Sequence, residues 1–171
     1  HVANQRGVGI DETFDVMLVR SRPEDLGYDT STVSRMKDTD IGAVEAFLAD
    51  TYGVPCKRWL GAAWAAGDLG WIAEENDKIV GVAMATVVGT RGRLHSLTVK
   101  ADARNRGLGT ALYRARLRAL FELGAEGVLT ECATWNVAAL ELARRHGFEK
   151  VGAMYVESAR DARIERKLVR R

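Results

Sequence analysis

Residues 94–121 read LHSLTVKADARNRGLGTALYRARLRALF, and the rest of the chain can be interpreted outward from this stretch. It starts with a short run that favours a β-strand and passes through a polar segment that contains Gly107 and Gly109. It then continues with apolar residues at the spacing of an α-helix. A strand, a glycine-rich turn and a helix in this order are typical of a site that binds phosphate.

The turn combines several features that suit an anion. The first backbone N–H groups of a helix have no intrahelical partner, and the helix dipole adds partial positive charge there. Gly107 and Gly109 have no Cβ, so an anion can approach the backbone closely, and either residue can adopt a positive φ. Arg104 and Arg106 add fork-shaped donors that match phosphate oxygens.

Two common nucleotide-binding motifs do not fit this turn. The dinucleotide fingerprint needs a third glycine three residues after Gly109, where this sequence has Leu112. The Gly-Lys-Ser/Thr of a P-loop is missing as well. On the pattern alone, the alternative that this turn is an ordinary loop at the end of a strand stays open.

The stretch resembles the signature of the GNAT superfamily of acyl-CoA-dependent N-acetyltransferases. That signature is a strand ending in Val, a few residues, and then Gln/Arg-x-x-Gly-x-Gly/Ala; here it is Val99 followed by residues 104–109. A later block matches the family's Asn-x-x-Ala…Gly-Phe segment at the expected spacing, with Asn136, Ala139, Leu142, Gly147 and Phe148. The resemblance extends over residues 30–156.

This resemblance implies an α/β architecture, the GNAT fold. We expect a mixed central β-sheet of about six or seven strands, flanked by about four helices and splayed between strands four and five, with CoA in the wedge. The strand before the turn would pair through its backbone with the pantetheine arm. The turn would hold the pyrophosphate, and Asn136 the pantetheine side. The implied cofactor-binding residues are Leu97, Thr98, Val99, Arg104, Asn105, Arg106, Gly107, Leu108, Gly109, Thr110 and Asn136.

The implied reaction is transfer of an acetyl group from acetyl-CoA to a primary amine of a small molecule, a peptide or a protein N-terminus. An ammonium group must lose a proton before it can attack. Ribosomal-protein N-terminal acetyltransferases of this superfamily place their base at the position of Glu131, whereas position 93, a glutamate in histone-type members, is Arg93. The alternative, that Glu131 points to solvent from a strand with only one buried face, stays open.

The general acid is the main departure from the family pattern. Many relatives carry a tyrosine, which protonates the leaving thiolate, where this chain has Ala143. Tyr155 is the replacement that we expect, and water is the alternative. Ala143 also favours a second interpretation, a catalytically weak acyl-CoA-binding or regulatory module. His95 is expected to be structural, as a lone histidine on a strand usually is.

Composition limits the partners. A length of 171 residues with 47% hydrophobic content fits one globular domain, and a formal net charge of +2 does not call for nucleic acid or a membrane. The basic C-terminal cluster lacks interleaved aromatic residues and is broken by Asp161 and Glu165. It consists of Arg160, Arg163, Arg166, Lys167, Arg170 and Arg171. Cys56 and Cys132 lack metal-ligand spacing. We therefore expect no metal and a cytoplasmic protein, with a homodimer left open.

The chain is divided into an N-terminal extension, 1–27, and an N-acetyltransferase domain, 28–171. Because the sequence begins with His1, either the chain is processed or its first residues are not native, and Met17 is an alternative start. Residues 14–19 predict an extra edge strand. The other predicted strands are 32–36, 71–73, 78–88, 94–99, 128–133, 149–156 and 163–169, and a turn at 75–78 joins the second and third of these in a hairpin. The predicted helices start near residues 39, 57, 108 and 136; the first ends near residues 53–55 and the last stops at Gly147.

Overall fold

The computed structural model describes residues 2–3, 8–53, 57–159 and 169–170. Within these ranges the order of strands and helices confirms the predicted α/β class. Seven strands have three residues or more, and the first and last have two residues each. The elements are β1 (Val2–Ala3), β2 (Val8–Val19), β3 (Val33–Arg35), α1 (Ile41–Tyr52), α2 (Lys57–Ala65), β4 (Leu69–Glu75), β5 (Lys78–Val88), β6 (Arg91–Val99), α3 (Leu108–Glu122), β7 (Gly127–Ala133), α4 (Val137–Arg145), β8 (Glu149–Ala159) and β9 (Val169–Arg170).

The chain forms two compact units, one of residues 20–128 and one of residues 1–19 with 129–171. In the first unit, β3, β4, β5 and β6 lie side by side and pair antiparallel. The predicted hairpin is confirmed, and Asn76 and Asp77 form its turn with φ values of 50° and 59°. Helix α1 ends, as predicted, at Gly53, which has a φ of 69°.

The two faces of this sheet are covered by different helices. One face packs against α1 and α2 in a core of buried residues that comprises Met36, Val44, Leu48, Leu60, Ile72, Val82 and Met84. Side chains alternate along a strand, so Gly81 faces the other side, toward α3. There a Cβ on Gly81 or on Gly92 would lie 2.9 Å from a leucine methyl group of α3. These two glycines allow α3 to pack closely on the sheet.

Strand β6 contains a bulge. Val82 pairs with Thr98 and Met84 pairs with His95, so Ser96 and the residue after it both lie opposite the single residue between Val82 and Met84. Ser96 has a φ of 57°, a left-handed conformation that side chains other than glycine seldom adopt. The sequence gives no local sign of this bulge.

Arg116 of α3 holds the strands beside the bulge. Its side chain is 1% exposed, and Nη1 donates hydrogen bonds to the carbonyl oxygens of Met84 at 3.1 Å and His95 at 3.0 Å. These carbonyls belong to β5 and β6. A buried guanidinium therefore satisfies two backbone acceptors next to an irregular ladder.

In the second unit, β2 lies between β7 and β8. It pairs antiparallel with β8 from Val8 to Leu18, interrupted by two register shifts. The prediction of an edge strand at 14–19 is therefore wrong, because both sides of β2 have a neighbouring strand. The apolar residues Met17, Leu18 and Val19 are all buried, as an interior strand requires. Nothing tests the predicted domain boundary at residue 28, which stays a prediction.

Helix α4 begins and ends where the sequence indicates. The Oδ1 atom of Asn136 accepts a hydrogen bond from the N–H of Ala139 at 3.1 Å, which caps the helix start. Gly147, with a φ of 81°, follows the last turn, and the N–H of buried Phe148 donates to the carbonyl of Ala143 at 3.1 Å.

Some predictions concern residues beyond those described. The predicted strand at 163–169 lies outside the described residues except for Val169, which starts β9. Cys56 and most of the basic C-terminal cluster also lie outside them, whereas Cys132 is buried on β7. Among the residues that the structure describes, no helix is long and apolar enough to cross a membrane.

We predict that Arg116→Met lowers the free energy of unfolding by about 2–4 kcal/mol, because two buried carbonyl oxygens lose their donor. Arg118→Met is the matched control. Its guanidinium pairs with Glu122 on the exposed surface of the same helix, and such a pair contributes about 0.5 kcal/mol or less. Denaturant titration of both variants measures the difference. Equal losses would show that the Arg116 hydrogen bonds are not what stabilises this region.

Candidate functional site

The glycine turn, residues 104–109, leads into α3. Gly107 caps the helix with a φ of 80°, and Asn105 also has a positive φ, 62°. Gly109, in the first turn of α3, is not among the residues with positive φ. A Cβ at either glycine would meet no atom within 4 Å. The two glycines thus have different roles: Gly107 permits the backbone conformation, and Gly109 keeps the space before the helix N–H groups open.

The two arginines of the turn are tied to the protein. Arg104 Nε donates to the carbonyl of Val99 at 3.1 Å. Arg106 Nη2 donates to the carbonyl of Asp102 at 3.0 Å, and its Nη1 lies 3.0 Å from a carboxylate oxygen of Glu75 in the β4–β5 hairpin. Half of the Arg106 side chain is exposed. These contacts brace the loop, and the predicted contacts with phosphate stay a prediction.

The strand segment that leads to the turn contains the other predicted cofactor residues of this unit. Thr98 is buried, and its hydroxyl forms a hydrogen bond with the hydroxyl of Tyr52 at the end of α1. Leu97 and Val99 are partly buried. The bulge lies at the start of this segment and displaces Leu97 from the regular ladder. A backbone N–H released in this way is suited to a ligand carbonyl or oxyanion.

His95 belongs to a hydrogen-bonded group that the sequence did not predict. Its Nε2 lies 2.8 Å from Oδ2 of Asp68, and its Nδ1 lies 2.8 Å from Oγ of Ser96. The His95 side chain is only 15% exposed. The hydroxyl of Thr86 also donates to Asp68, at 3.3 Å. The interpretation of His95 as a lone histidine therefore missed Asp68, a partner 27 residues away that no local pattern reveals.

The charge of the His95 ring is set by opposing influences. Burial holds the pKa of His95 below its usual value, and the nearby cations Arg93 and Arg116 lower it as well. The hydrogen bond and the negative charge of Asp68 raise the pKa but do not offset the effect of burial. At neutral pH the imidazole is therefore mainly uncharged and can accept a proton.

The predicted catalytic residues lie in the other unit and are not adjacent. Glu131 is partly buried on β7, and Tyr155 is on β8, opposite Thr13 of β2. Because β2 separates β7 from β8, the two backbones are roughly 10 Å apart across the sheet. Tyr155 is 50% exposed, so it is not a packing residue with a buried tip. Ala143 is completely buried.

A cleft of about 610 Å³ opens between α1, the β4–β5 hairpin and the glycine turn. Six carboxylates and three cations line it, including Glu75 and Arg106. The excess of negative charge favours a cationic ligand over an anionic one. Within the described ranges, no group of three or more His, Cys, Asp or Glu side chains is placed to hold a metal ion.

The profile of the acetyltransferase (GNAT) family matches residues 43–148, more than half of the chain. No curated protein matches the sequence.

Several solved structures share the fold. A GCN5-related N-acetyltransferase from Sphaerobacter thermophilus is 19% identical with a TM-score of 0.71, over 90% of this chain and 52% of its own. The ribosomal-protein-S18-alanine N-acetyltransferase from Escherichia coli is 23% identical with a TM-score of 0.63, over 71% and 79%. AAC(6')-Iy, solved in complex with the bisubstrate analogue CoA-S-monomethyl-acetylneamine, is 18% identical with a TM-score of 0.59, over 70% and 91%. The chain thus spans about half the length of the first of these relatives.

The two glycines can be separated experimentally. We predict that Gly109→Ala weakens acetyl-CoA binding at least about tenfold without loss of stability, because a methyl group enters the open space while helix propensity improves. Gly107→Ala should instead lower the free energy of unfolding by about 1–2 kcal/mol, since alanine resists a positive φ. Calorimetric titration and denaturant unfolding measure both quantities. Unchanged affinity in Gly109→Ala would place the phosphate elsewhere.

Proposed function

The chain belongs to the acetyltransferase (GNAT) family, and from this membership we propose that it is an enzyme that transfers the acetyl group of acetyl-CoA to a primary amine. The observation that carries the proposal is the turn before α3, where Gly107 adopts the left-handed conformation and the space above Gly109 is open. This arrangement exposes helix N–H groups to a pyrophosphate. Acetyl-CoA is then the acyl donor, and no metal is required.

The proposed cofactor contacts follow the chain. The backbone of Leu97, Thr98 and Val99 pairs with the pantetheine arm, residues 104–110 hold the pyrophosphate, and Asn136 contacts the pantetheine. Asn136 already uses Oδ1 to cap α4, so its Nδ2 donors are the atoms proposed for the cofactor. The bulge at Ser96 supports an oxyanion role for a backbone N–H of this segment.

The acceptor is proposed to be a primary amine of a small molecule, a peptide or a protein N-terminus. The acidic cleft beside the glycine turn supports this class, because it attracts an ammonium group. Two relatives with known acceptors or analogues also involve amines: the alanine of ribosomal protein S18 in one, and a neamine derivative in the other.

The chemistry needs proton transfer at two points. Glu131 is the proposed base that takes the first proton from the ammonium group, because a partly buried carboxylate on β7 needs a partner or a purpose. The leaving thiolate must later gain a proton. Tyr155 is one candidate for this step, and its exposed position on β8 leaves its hydroxyl accessible.

A catalytically weak acyl-CoA-binding module is the second candidate function. Ala143 favours it, because this completely buried residue supplies no hydroxyl where many relatives carry a tyrosine. The two functions differ in turnover and not in binding.

We predict that acetyl-CoA raises the melting temperature and that the protein releases CoA thiol in the presence of an amine. The test panel has three amines: spermidine, neamine and a peptide whose first residue is alanine. Each is assayed by thiol release and by mass spectrometry of the acceptor. Binding without transfer to any of the three supports the module. Failure to bind acetyl-CoA at millimolar concentration contradicts both functions.

We predict that Glu131→Gln lowers kcat/KM by about 10²–10⁴-fold at neutral pH while the Kd for acetyl-CoA stays within twofold. Raising the pH should partly restore the rate, because more of the acceptor is then neutral in solution. Glu141→Gln, an exposed carboxylate on α4, is the control and should behave as wild type. Wild-type kinetics and an unchanged pH profile in Glu131→Gln would remove Glu131 from the mechanism.

A further inference from the structure

Ser96, His95 and Asp68 form a continuous chain of hydrogen bonds within the unit of residues 20–128. The Ser96 hydroxyl meets Nδ1 of His95 at 2.8 Å, and Nε2 of His95 meets Asp68 at 2.8 Å. The same order, hydroxyl to imidazole to carboxylate, moves protons in hydrolases of unrelated fold. Here the imidazole is partly buried, so both contacts are shielded from water.

The partners fix the direction of each hydrogen bond. An ionised carboxylate only accepts, so Nε2 of His95 carries the hydrogen that is donated to Asp68. The neutral ring then presents a lone pair at Nδ1, and the hydroxyl of Ser96 donates to it. A lone pair of the Ser96 oxygen therefore remains to accept a proton from elsewhere.

The place of Ser96 in the fold points to a ligand. It lies in the bulge of β6 with a φ of 57°, a strained conformation of the kind that is concentrated at functional sites. It directly precedes Leu97, where the segment proposed to pair with the pantetheine arm begins. Since the arm ends in the thioester sulfur, the proposed pairing places the thioester at the Leu97 end of this segment, beside the Ser96 hydroxyl.

The groups that face His95 favour a neutral ring that can take up a proton briefly. Asp68 lies before β4, Arg93 lies on β6, Arg116 reaches the strand from α3, and Thr86 of β5 hydrogen bonds to Asp68. Burial and the two cations disfavour the imidazolium, whereas Asp68 stabilises it. A carrier of protons needs both properties, because it must accept a proton and then release it.

We propose that Ser96 and His95 carry a proton from the amine nitrogen to the departing sulfur, with Asp68 as the positioning residue of the imidazole. The inference rests on the proposed acetyltransferase function. It also assigns a source for the thiolate proton in a chain that has Ala143 at the usual tyrosine position.

Ser96 and His95 first take up the amine proton and then return it to sulfur. The neutral amine attacks the thioester carbonyl carbon, and a C–N bond forms with an oxyanion and a positively charged nitrogen. The nitrogen gives a proton to the Ser96 oxygen while Ser96 passes its own proton to Nδ1 of His95. The C–S bond then breaks, and its electron pair goes to sulfur. The thiolate takes a proton from Ser96, which recovers one from His95. The products are the amide and the CoA thiol, and His95 is neutral again.

The kinetic test uses the panel amine with the highest turnover and five variants: His95→Gln, Ser96→Ala, Ser96→Gly, Asp68→Asn and Tyr155→Phe. His95→Gln and Ser96→Ala should lower kcat by about 10²-fold or more, with the Kd for acetyl-CoA within twofold of wild type. Ser96→Gly should lose as much as Ser96→Ala, because both lack the hydroxyl although glycine accepts the φ of 57° without strain. Tyr155→Phe tests the alternative proton donor to the thiolate, and the loss of kcat in His95→Gln should exceed the loss in Tyr155→Phe.

A spectroscopic readout separates proton transfer from a structural role. The sequence has three histidines, so the ring signals of His95 can be assigned by their loss in His95→Gln and titrated by NMR. Asp68→Asn should lower the pKa of His95 further, because it removes the influences that raise it. In a plot of kcat against pH, the acid limb depends in part on His95. That part should move to lower pH in Asp68→Asn, in parallel with the pKa.

Each failure has its own signature. If wild-type protein acetylates no panel amine, the proposed function fails and this inference with it. If wild type is active and His95→Gln and Ser96→Ala are equally active, only the relay is overturned. Full activity in Ser96→Gly together with loss in Ser96→Ala would assign Ser96 a backbone role. Loss confined to Tyr155→Phe, or a stable acetyl group on Ser96 after incubation with acetyl-CoA alone, would also overturn the relay.

Discussion

The hydrogen bonds from Arg116 to the carbonyls of Met84 and His95 connect the three elements on which the proposed site depends. Arg116 belongs to α3, the helix whose start forms the glycine turn, and the two carbonyls belong to β5 and β6 on either side of the bulge. A buried guanidinium cannot leave its acceptors without a large desolvation cost. These bonds from α3 therefore hold the bulge at a fixed distance from the glycine turn.

The bulge needs such support because it is costly in itself. A residue such as Ser96 in the left-handed region costs about 1–2 kcal/mol, and the extra residue interrupts the β5–β6 ladder. Two sets of contacts offset this cost: Arg116 on the α3 side, and the bonds of Ser96 and Asp68 to the His95 side chain. Since Met84, opposite His95, belongs to the core with α1 and α2, these contacts approach the bulge from both faces of the sheet.

The sequence predicts features that depend on neighbouring residues and misses features that depend on distant ones. The glycine turn, the end of α1 at Gly53 and the end of α4 at Gly147 are local, because a backbone conformation at one residue decides them. The neighbours of β2, the bulge at Ser96 and the pairing of His95 with Asp68 depend on residues that are distant in sequence. No periodicity within a strand encodes such registers, so the sequence predicts a structural role for His95 and does not reveal its contact with Asp68.

The ion pair of Arg106 with Glu75 is weak enough to be compatible with an anion at the glycine turn. Both side chains are partly exposed, and an ion pair of this kind contributes at most about 1 kcal/mol. A pyrophosphate carries more charge than one carboxylate and offers oxygens to the helix N–H groups at the same time, so it competes well for the guanidinium. Release of Glu75 would then leave one more unneutralised carboxylate in the acidic cleft. Binding of an anionic cofactor at the turn would therefore strengthen the attraction of the same cleft for a cationic amine, which favours cofactor before acceptor.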